Sequence, residues 1–149
     1  MKNIALRPID EANIQDAFAL ELEEDQRSFV SHPMRSLALG YACRERCRAF
    51  GVYVGDRMAG YVMIVLDAGT ADYRLWHFMI DRSCQGRGIG KAALNAALDH
   101  IRSRPLGPVG RILLTCNPAN EVALKLYRSA GFRETGRMEK GELELELLP

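Results

Sequence analysis

The chain reads as an α/β fold of the α+β kind: one domain over residues 1–149, with a mixed, mostly antiparallel sheet of six to seven strands and four helices. Three observations predict it. Segments with strand spacing outnumber those with helical spacing, a hairpin signal lies mid-chain, and a glycine-rich turn joins a strand to a helix past the midpoint. With 149 residues, 48% of them hydrophobic, there is enough apolar surface for one core.

Taken in order, Ile4 to Ile9 reads as a strand, and Asp10 offers an N-cap to a helix with Ile14, Ala17, Phe18 and Leu22 on one stripe. Pro33 suits the first turn of a second helix carrying Met34, Leu37, Ala38 and Tyr41, which fades into the charged run Arg44 to Arg48. Phe50 to Val54 and Met58 to Leu66 flank the turn signal Gly55-Asp56, the pattern of an antiparallel hairpin. Asp67 to Thr70 is a loop, Tyr73 to Ile80 a strand and Gly88 to Arg102 a helix. Arg111 to Cys116 is the next strand, and Pro118 to Ala130 the last helix. In the tail, Glu142, Glu144 and Glu146 alternate with Leu143, Leu145 and Leu147, as a strand with one wet and one dry face would. No repeat or linker interrupts this order, and the loop Ser103 to Gly110 is too short to separate domains.

Lys and Arg number 20 against 19 Asp and Glu, so no basic field favours a nucleic-acid partner. No run approaches about 18 apolar residues, and Met1 to Ile4 leads into a strand without a leader-like segment, so no membrane span is expected and the protein reads as cytoplasmic. Cys43, Cys47, Cys84 and Cys116 form no CxxC pair and have no histidine cluster beside them, so no metal is expected and the thiols read as reduced.

The richest chemical signal is Gln85-Gly86-Arg87-Gly88-Ile89-Gly90-Lys91, which follows the strand ending Phe78-Met79-Ile80 and opens a helix. The first turn of a helix presents unpaired N–H groups and the positive end of its dipole. Glycines let a pyrophosphate approach that backbone, and Arg87 and Lys91 add charge. A P-loop would need glycine at 85 and Ser or Thr after the Gly90-Lys91 pair, where Gln85 and Ala92 stand. A dinucleotide fingerprint would need glycine at Lys91 and an opening position in the chain.

What remains, Gln85-x-x-Gly88-x-Gly90, resembles the pyrophosphate loop of the GNAT acetyltransferase superfamily. A second segment, from Asn117-Pro118-Ala119-Asn120 through Ala123, Leu126 and Tyr127 to Gly131-Phe132, is similar to that superfamily's N-x-x-A-x-x-L-Y-x-x-x-G-F element. The likeness spans nearly the whole chain and is nearest to bacterial diamine and polyamine acetyltransferases, through Glu24 to Ser31, Trp76 to Asp81 and Glu134-Thr135-Gly136. His77 departs from that pattern, where arginine is expected, and Cys84 stands in place of an aromatic residue.

The resemblance implies acetyl-CoA as cosubstrate and a small-molecule amine as acceptor. The backbone of Phe78, Met79 and Ile80 would meet the pantetheine arm, the loop Gln85 to Lys91 the pyrophosphate, and Asn117 and Asn120 further parts of the cofactor. Tyr127 would be the general acid, a phenol of reference pKa about 10 able to protonate a leaving thiolate. By helical periodicity Tyr127 is also a core residue, and Asn120 is also a helix cap.

On the acceptor side, Glu21 falls on the first helix's apolar stripe beside Glu24, where an inward carboxylate needs a cation. Trp76 offers a ring for an alkylammonium. His77 reads either as a base or as a buried core histidine, since adjacent strand residues face opposite ways. These residues point to a diamine or polyamine such as spermidine or spermine. An aminoglycoside, an amino acid or a protein N-terminus remains an alternative acceptor, and a non-catalytic acyl-CoA sensor an alternative class. The alternating C-terminal strand is also suited to pairing with a second copy as a homodimer.

Overall fold

The computed structural model describes residues 3–149. Met1 and Lys2, part of the stretch read for a leader, lie outside the described residues.

Seven strands form one sheet: β1 (Ile4–Pro8), β2 (Cys47–Val54), β3 (Arg57–Leu66), β4 (Tyr73–Ile80), β5 (Ile112–Cys116), β6 (Arg133–Glu139) and β7 (Glu142–Leu147). Their order across the sheet is β1-β2-β3-β4-β5-β7-β6. Every neighbouring pair is antiparallel except β4 and β5, which run parallel and pair only through Tyr73 with Ile112 and Arg74 with Leu113. Beyond those two rungs the strands diverge.

Four α-helices cover the sheet: α1 (Ile14–Phe18), α2 (Pro33–Ala42), α3 (Ile89–Arg102) and α4 (Glu121–Ser129). On one face, α3 buries Ile89, Ala93, Leu94, Ala97, Leu98 and Ile101, the stripe expected of an amphipathic helix, against Val52, Val62, Ile64 and Leu114. On the other, Ala17 of α1 and Leu37 of α2 pack on Tyr61, Met63 and Val65.

The end of α4 follows from two adjacent residues. Gly131 takes φ +102, and its N–H donates to Arg128 O (3.0 Å) while that of Phe132 donates to Tyr127 O (3.1 Å). This pair of bonds satisfies the last carbonyls of the helix, and the left-handed position favours glycine. Phe132 is thereby folded back so that its ring meets that of Tyr127 at 6.0 Å.

Several expectations are corrected. Asp10 is not the N-cap of α1; it accepts from the amides of Ala12 and Asn13 one turn earlier, and Asn13 occupies the cap. The helix ends at Phe18, short of Leu22, and a 3-10 turn over Glu24–Gln26 follows. In α2 the buried positions are Pro33, Ser36 and Gly40, while Met34 and Tyr41 are exposed. Small residues win here because the helix sits close to the sheet: a Cβ on Gly40 would lie 2.9 Å from Met63 Cε and 3.1 Å from Cys47 Sγ. Finally, β7 is no edge strand. It is paired on both sides, by β5 and β6, so the sheet ends at β1 and β6 and the expected pairing of β7 with a second copy has no free edge to use.

Candidate functional site

Where β4 and β5 part, two cavities lie side by side and share a wall. The first, of about 360 Å³, is lined by Leu22 and Gln26, by Phe78, Met79 and Ile80 of β4, by Gln85, Gly86, Gly88, Gly90 and Lys91, and by Val122, Ala123 and Leu126 of α4. The second, of about 210 Å³, is lined by Phe29, Ser31, Arg35, Ser36 and Leu39 on one side, and by Leu75, Trp76, His77, Thr115, Cys116, Asn117 and Glu142 on the other. Val30, Phe78, Asn120 and Tyr127 line both.

The loop at the mouth of the first cavity has the geometry an anionic ligand needs. Gly86 and Gly88 take φ +75 and +77, Gly88 being the N-cap of α3, and a Cβ at either would meet nothing within 4 Å. The space over the loop is open, and the unpaired amides of the first turn of α3 face it. Lys91 adds a cation to this wall, while Arg87 is exposed beside it and Ile89 turns its side chain into the core. Gln85 holds the loop in place: its Nε2 donates to Ile80 O (3.0 Å) and to Gln26 Oε1 (2.8 Å), and Gln26 Nε2 donates back to Gln85 Oε1 (3.1 Å). These residues fit the diphosphate of coenzyme A.

Asp81 ties the loop to the segment after α1. Its carboxylate accepts from the amides of Glu21 (2.8 Å) and Ser83 (3.1 Å) and from the Ser83 hydroxyl. Burial alone would raise its pKa, but these bonds and the nearby Arg57 outweigh it and hold the carboxyl below the usual range.

Trp76 is the extra residue of a bulge. Met63 pairs with His77 and Ile64 with Leu75, so β4 spends two steps where β3 spends one. Strict alternation, from which opposite directions for Trp76 and His77 followed, fails at this point: Tyr73 and Leu75 before the bulge and Phe78 and Ile80 after it pack on the α3 face, while Met79 lies on the other. Trp76 remains 42% exposed at the second cavity.

His77 is 5% exposed, edge-on to Tyr61 at 4.8 Å, with Nδ1 2.8 Å from Ser36 Oγ. Ser36 Oγ also lies 3.1 Å from Pro33 O, which can only accept, and 3.0 Å from Tyr61 Oη. The single hydroxyl proton goes to Pro33 O, so Tyr61 and His77 Nδ1 donate to Ser36 and the proton of the neutral imidazole sits on Nδ1. Nε2 is then a buried lone pair with no partner among the described residues. Burial, with a smaller contribution from His32, pushes the His77 pKa down to about 4, so the ring is neutral at physiological pH. The ring is buried and also lines the second cavity.

Tyr127 is buried between Phe78 and Phe132. Burial, then the charges of Cys116 and Glu142, raise its pKa above the usual phenol value, and its ring stands at the junction of the cavities. Asn120 caps α4, its Oδ1 accepting from Ala123 N (3.3 Å), and still reaches both cavities. Asn117, expected with the cofactor loop, lines the second cavity instead, its Oδ1 accepting from Ala119 N (2.9 Å).

Neither Glu21 nor Glu24 lines the cavity that holds Trp76. Because α1 ends at Phe18, Glu21 is on no helical stripe; its carboxylate is 53% exposed and pairs with Arg82 at 2.8 Å. Glu24 is exposed in the 3-10 turn and lines neither cavity. Sequence reasoning missed Arg35, Thr115 and Glu142, which reach the second cavity from α2, β5 and β7. Only the sheet order brings Glu142 there, and no local motif marks it.

A parted pair of parallel strands, with a glycine-rich helix start on one side and a buried tyrosine at the junction, is the architecture of an acyl-CoA-dependent transferase. The chain belongs to the acetyltransferase (GNAT) family, whose model matches residues 14–132. It is an acetyl-CoA-dependent N-acetyltransferase. It is 26% identical over 143 residues to a spermine/spermidine N(1)-acetyltransferase of Bacillus subtilis, with 92% of each chain covered. Among solved structures, a domain from Methanocaldococcus jannaschii superposes with TM-score 0.79 at 16% identity over all of both chains. The spermidine N-acetyltransferase of Vibrio cholerae, in complex with CoA and spermine, superposes with TM-score 0.77 at 19% identity, covering 97% of this chain and 95% of that one. Among the described residues no helix is long and apolar enough to cross a membrane.

Proposed function

We propose that this enzyme acetylates a primary amine of a diamine or polyamine, the amine attacking directly across the junction of the two cavities. The observation that carries this reading is the shared wall: Val30, Phe78, Asn120 and Tyr127 line both openings, so donor and acceptor meet at one point, as direct attack requires. Acetyl-CoA supplies an activated thioester. The first turn of α3 and Lys91 bind its diphosphate, the free edge of Phe78 to Ile80 orients the arm that leads inward, and Tyr127 keeps a proton at its phenol oxygen for the leaving sulfur.

The similarity to a spermine/spermidine acetyltransferase and the aromatic ring of Trp76 at the second cavity support a cationic alkylamine as acceptor. Thiol release from acetyl-CoA, measured across butylamine, 1,4-diaminobutane, spermidine, spermine, amino acids, an aminoglycoside and a peptide N-terminus, tests the reading. Diamines and polyamines should turn over fastest. Release confined to the other amines overturns the acceptor assignment, and CoA binding without thiol release on any of these amines favours a sensor.

A further inference from the structure

Of the residues lining the second cavity, Glu142 is the one anionic side chain. It stands on β7, and its Oε1 accepts from the hydroxyl of Thr115 on β5 (3.1 Å), which fixes the carboxylate across the junction of two strands. The same carboxylate raises the pKa of Tyr127, so its field reaches the phenol, although no hydrogen bond joins the two among the described residues. The cavity's opposite wall carries a cation, Arg35 of α2, whose Nη1 lies 3.4 Å from Ser31 Oγ.

We propose that Glu142 is the specificity-determining residue of the acceptor site: it holds the non-reacting ammonium of a diamine while the other nitrogen faces Tyr127. The inference rests on the cationic-acceptor reading above and names the group that enforces it. A half-buried carboxylate held by a neutral hydroxyl keeps acceptor capacity free, and a charge-assisted N–H···O bond to an ammonium fills it. Arg35 repels a cation directed toward α2, so the second charge of the acceptor is steered to β7, attraction and repulsion acting on one choice. One carboxylate answers to one ammonium. A second amine therefore brings a large gain over a monoamine of equal length, and a third brings little more.

The test compares butylamine, 1,4-diaminobutane and spermidine on the wild type, Glu142→Gln and Thr115→Val, by kcat and KM at saturating acetyl-CoA. Melting-temperature shifts with CoA serve as the control for folding. In the wild type, 1,4-diaminobutane should exceed butylamine at least tenfold in kcat/KM, with spermidine close to the diamine. In Glu142→Gln the KM for the diamine should rise at least tenfold more than that for butylamine, and any change of kcat through the lost field at Tyr127 should be common to the three amines. Thr115→Val should give a smaller rise in the same KM. A Glu142→Gln enzyme that keeps the diamine advantage in kcat/KM overturns the assignment and leaves the cationic-acceptor reading intact. A wild type with no diamine advantage overturns both.

Discussion

The rings of Phe78 and Tyr127 meet edge to face, 6.3 Å between centroids at 66°, on the wall that the two cavities share. Phe132 holds the other side of the tyrosine at 6.0 Å, so the phenol is fixed by two T-shaped contacts that do not involve its hydroxyl. Tyr127→Phe should therefore fold and bind CoA as the wild type does, while kcat falls by roughly ten- to a thousandfold, the range for loss of a general acid. Because its pKa is raised, Tyr127 stays protonated through neutral and moderately alkaline pH, so no loss of rate below about pH 10 should trace to it. Thiol-release kinetics against pH check both statements, and unchanged turnover would reduce Tyr127 to a packing residue.

Gly88→Val tests the loop. At φ +77 a β-branched residue is strained by about 1–2 kcal/mol, which lowers the melting temperature of the free protein. Since its Cβ meets no protein atom within 4 Å, the variant still folds, with its side chain in the space over the loop. The stabilisation that CoA gives the wild type by binding only the folded state should vanish. A normal CoA shift in Gly88→Val, or a shift of the wild type with ATP but not CoA, would move the diphosphate elsewhere.

Gly60 sets the position of the segment from Phe78 to Ile80 from behind. A Cβ there would lie 2.5 Å from Met79 O and 2.8 Å from Ile80 Cδ1, and the first of these is backbone and cannot swing away. Gly60→Ala should cost about 1–3 kcal/mol of stability, as overpacking does. It should also lower kcat/KM more than the loss of folded protein explains, because the segment from Phe78 to Ile80 is displaced. Urea unfolding and kinetics on the folded fraction separate the two effects; wild-type kcat/KM with lowered stability would show that the displacement is absorbed elsewhere.

His77 makes the fold acid-sensitive. Its pKa is depressed from the ordinary 6.5 to about 4, so the unfolded chain binds the proton first as pH falls. Stability is complete above about pH 6.5 and declines toward pH 4, by up to about 3 kcal/mol at about 1.4 kcal/mol per unit. His100, whose pKa burial also lowers, acts in the same direction. His77→Gln should be less stable at pH 7, through the disturbed bond to Ser36, yet lose less on acidification. Melting temperatures at pH 7.5 and 5 measure the difference, and an equal acid loss in the variant would assign the effect to other groups.

What could be read from the sequence was local. Gly88 and Gly131 declare themselves because a left-handed residue at a helix boundary has few alternatives, and the stripe of α3 needs only its own spacing. Glu21 was misplaced because the apolar pattern continues to Leu22 while the helix stops at Phe18, where Asp81 and Arg82, sixty residues away, capture the chain. The bulge at Trp76 depends on the register against β3, and the arrival of Glu142 in the cavity that Trp76 lines depends on β7 inserting between β5 and β6. Neither long-range pairing leaves a mark in its own segment.

The two-rung contact of β4 with β5 divides the sheet into a leaf of four strands and a leaf of three, sewn at one end only. A ligand whose amides bond to the free edge of Phe78 to Ile80 acts as the missing thread along the rest of the seam. Opening motions of the smaller leaf, which release amide protons of Leu114 to Cys116 to exchange with solvent, should become rarer once CoA is bound. Deuterium uptake in β5 would then fall on CoA addition together with uptake around Gly86 to Gly90, although the two segments lie on different elements, and the substrate would serve for a time as part of the enzyme's own skeleton.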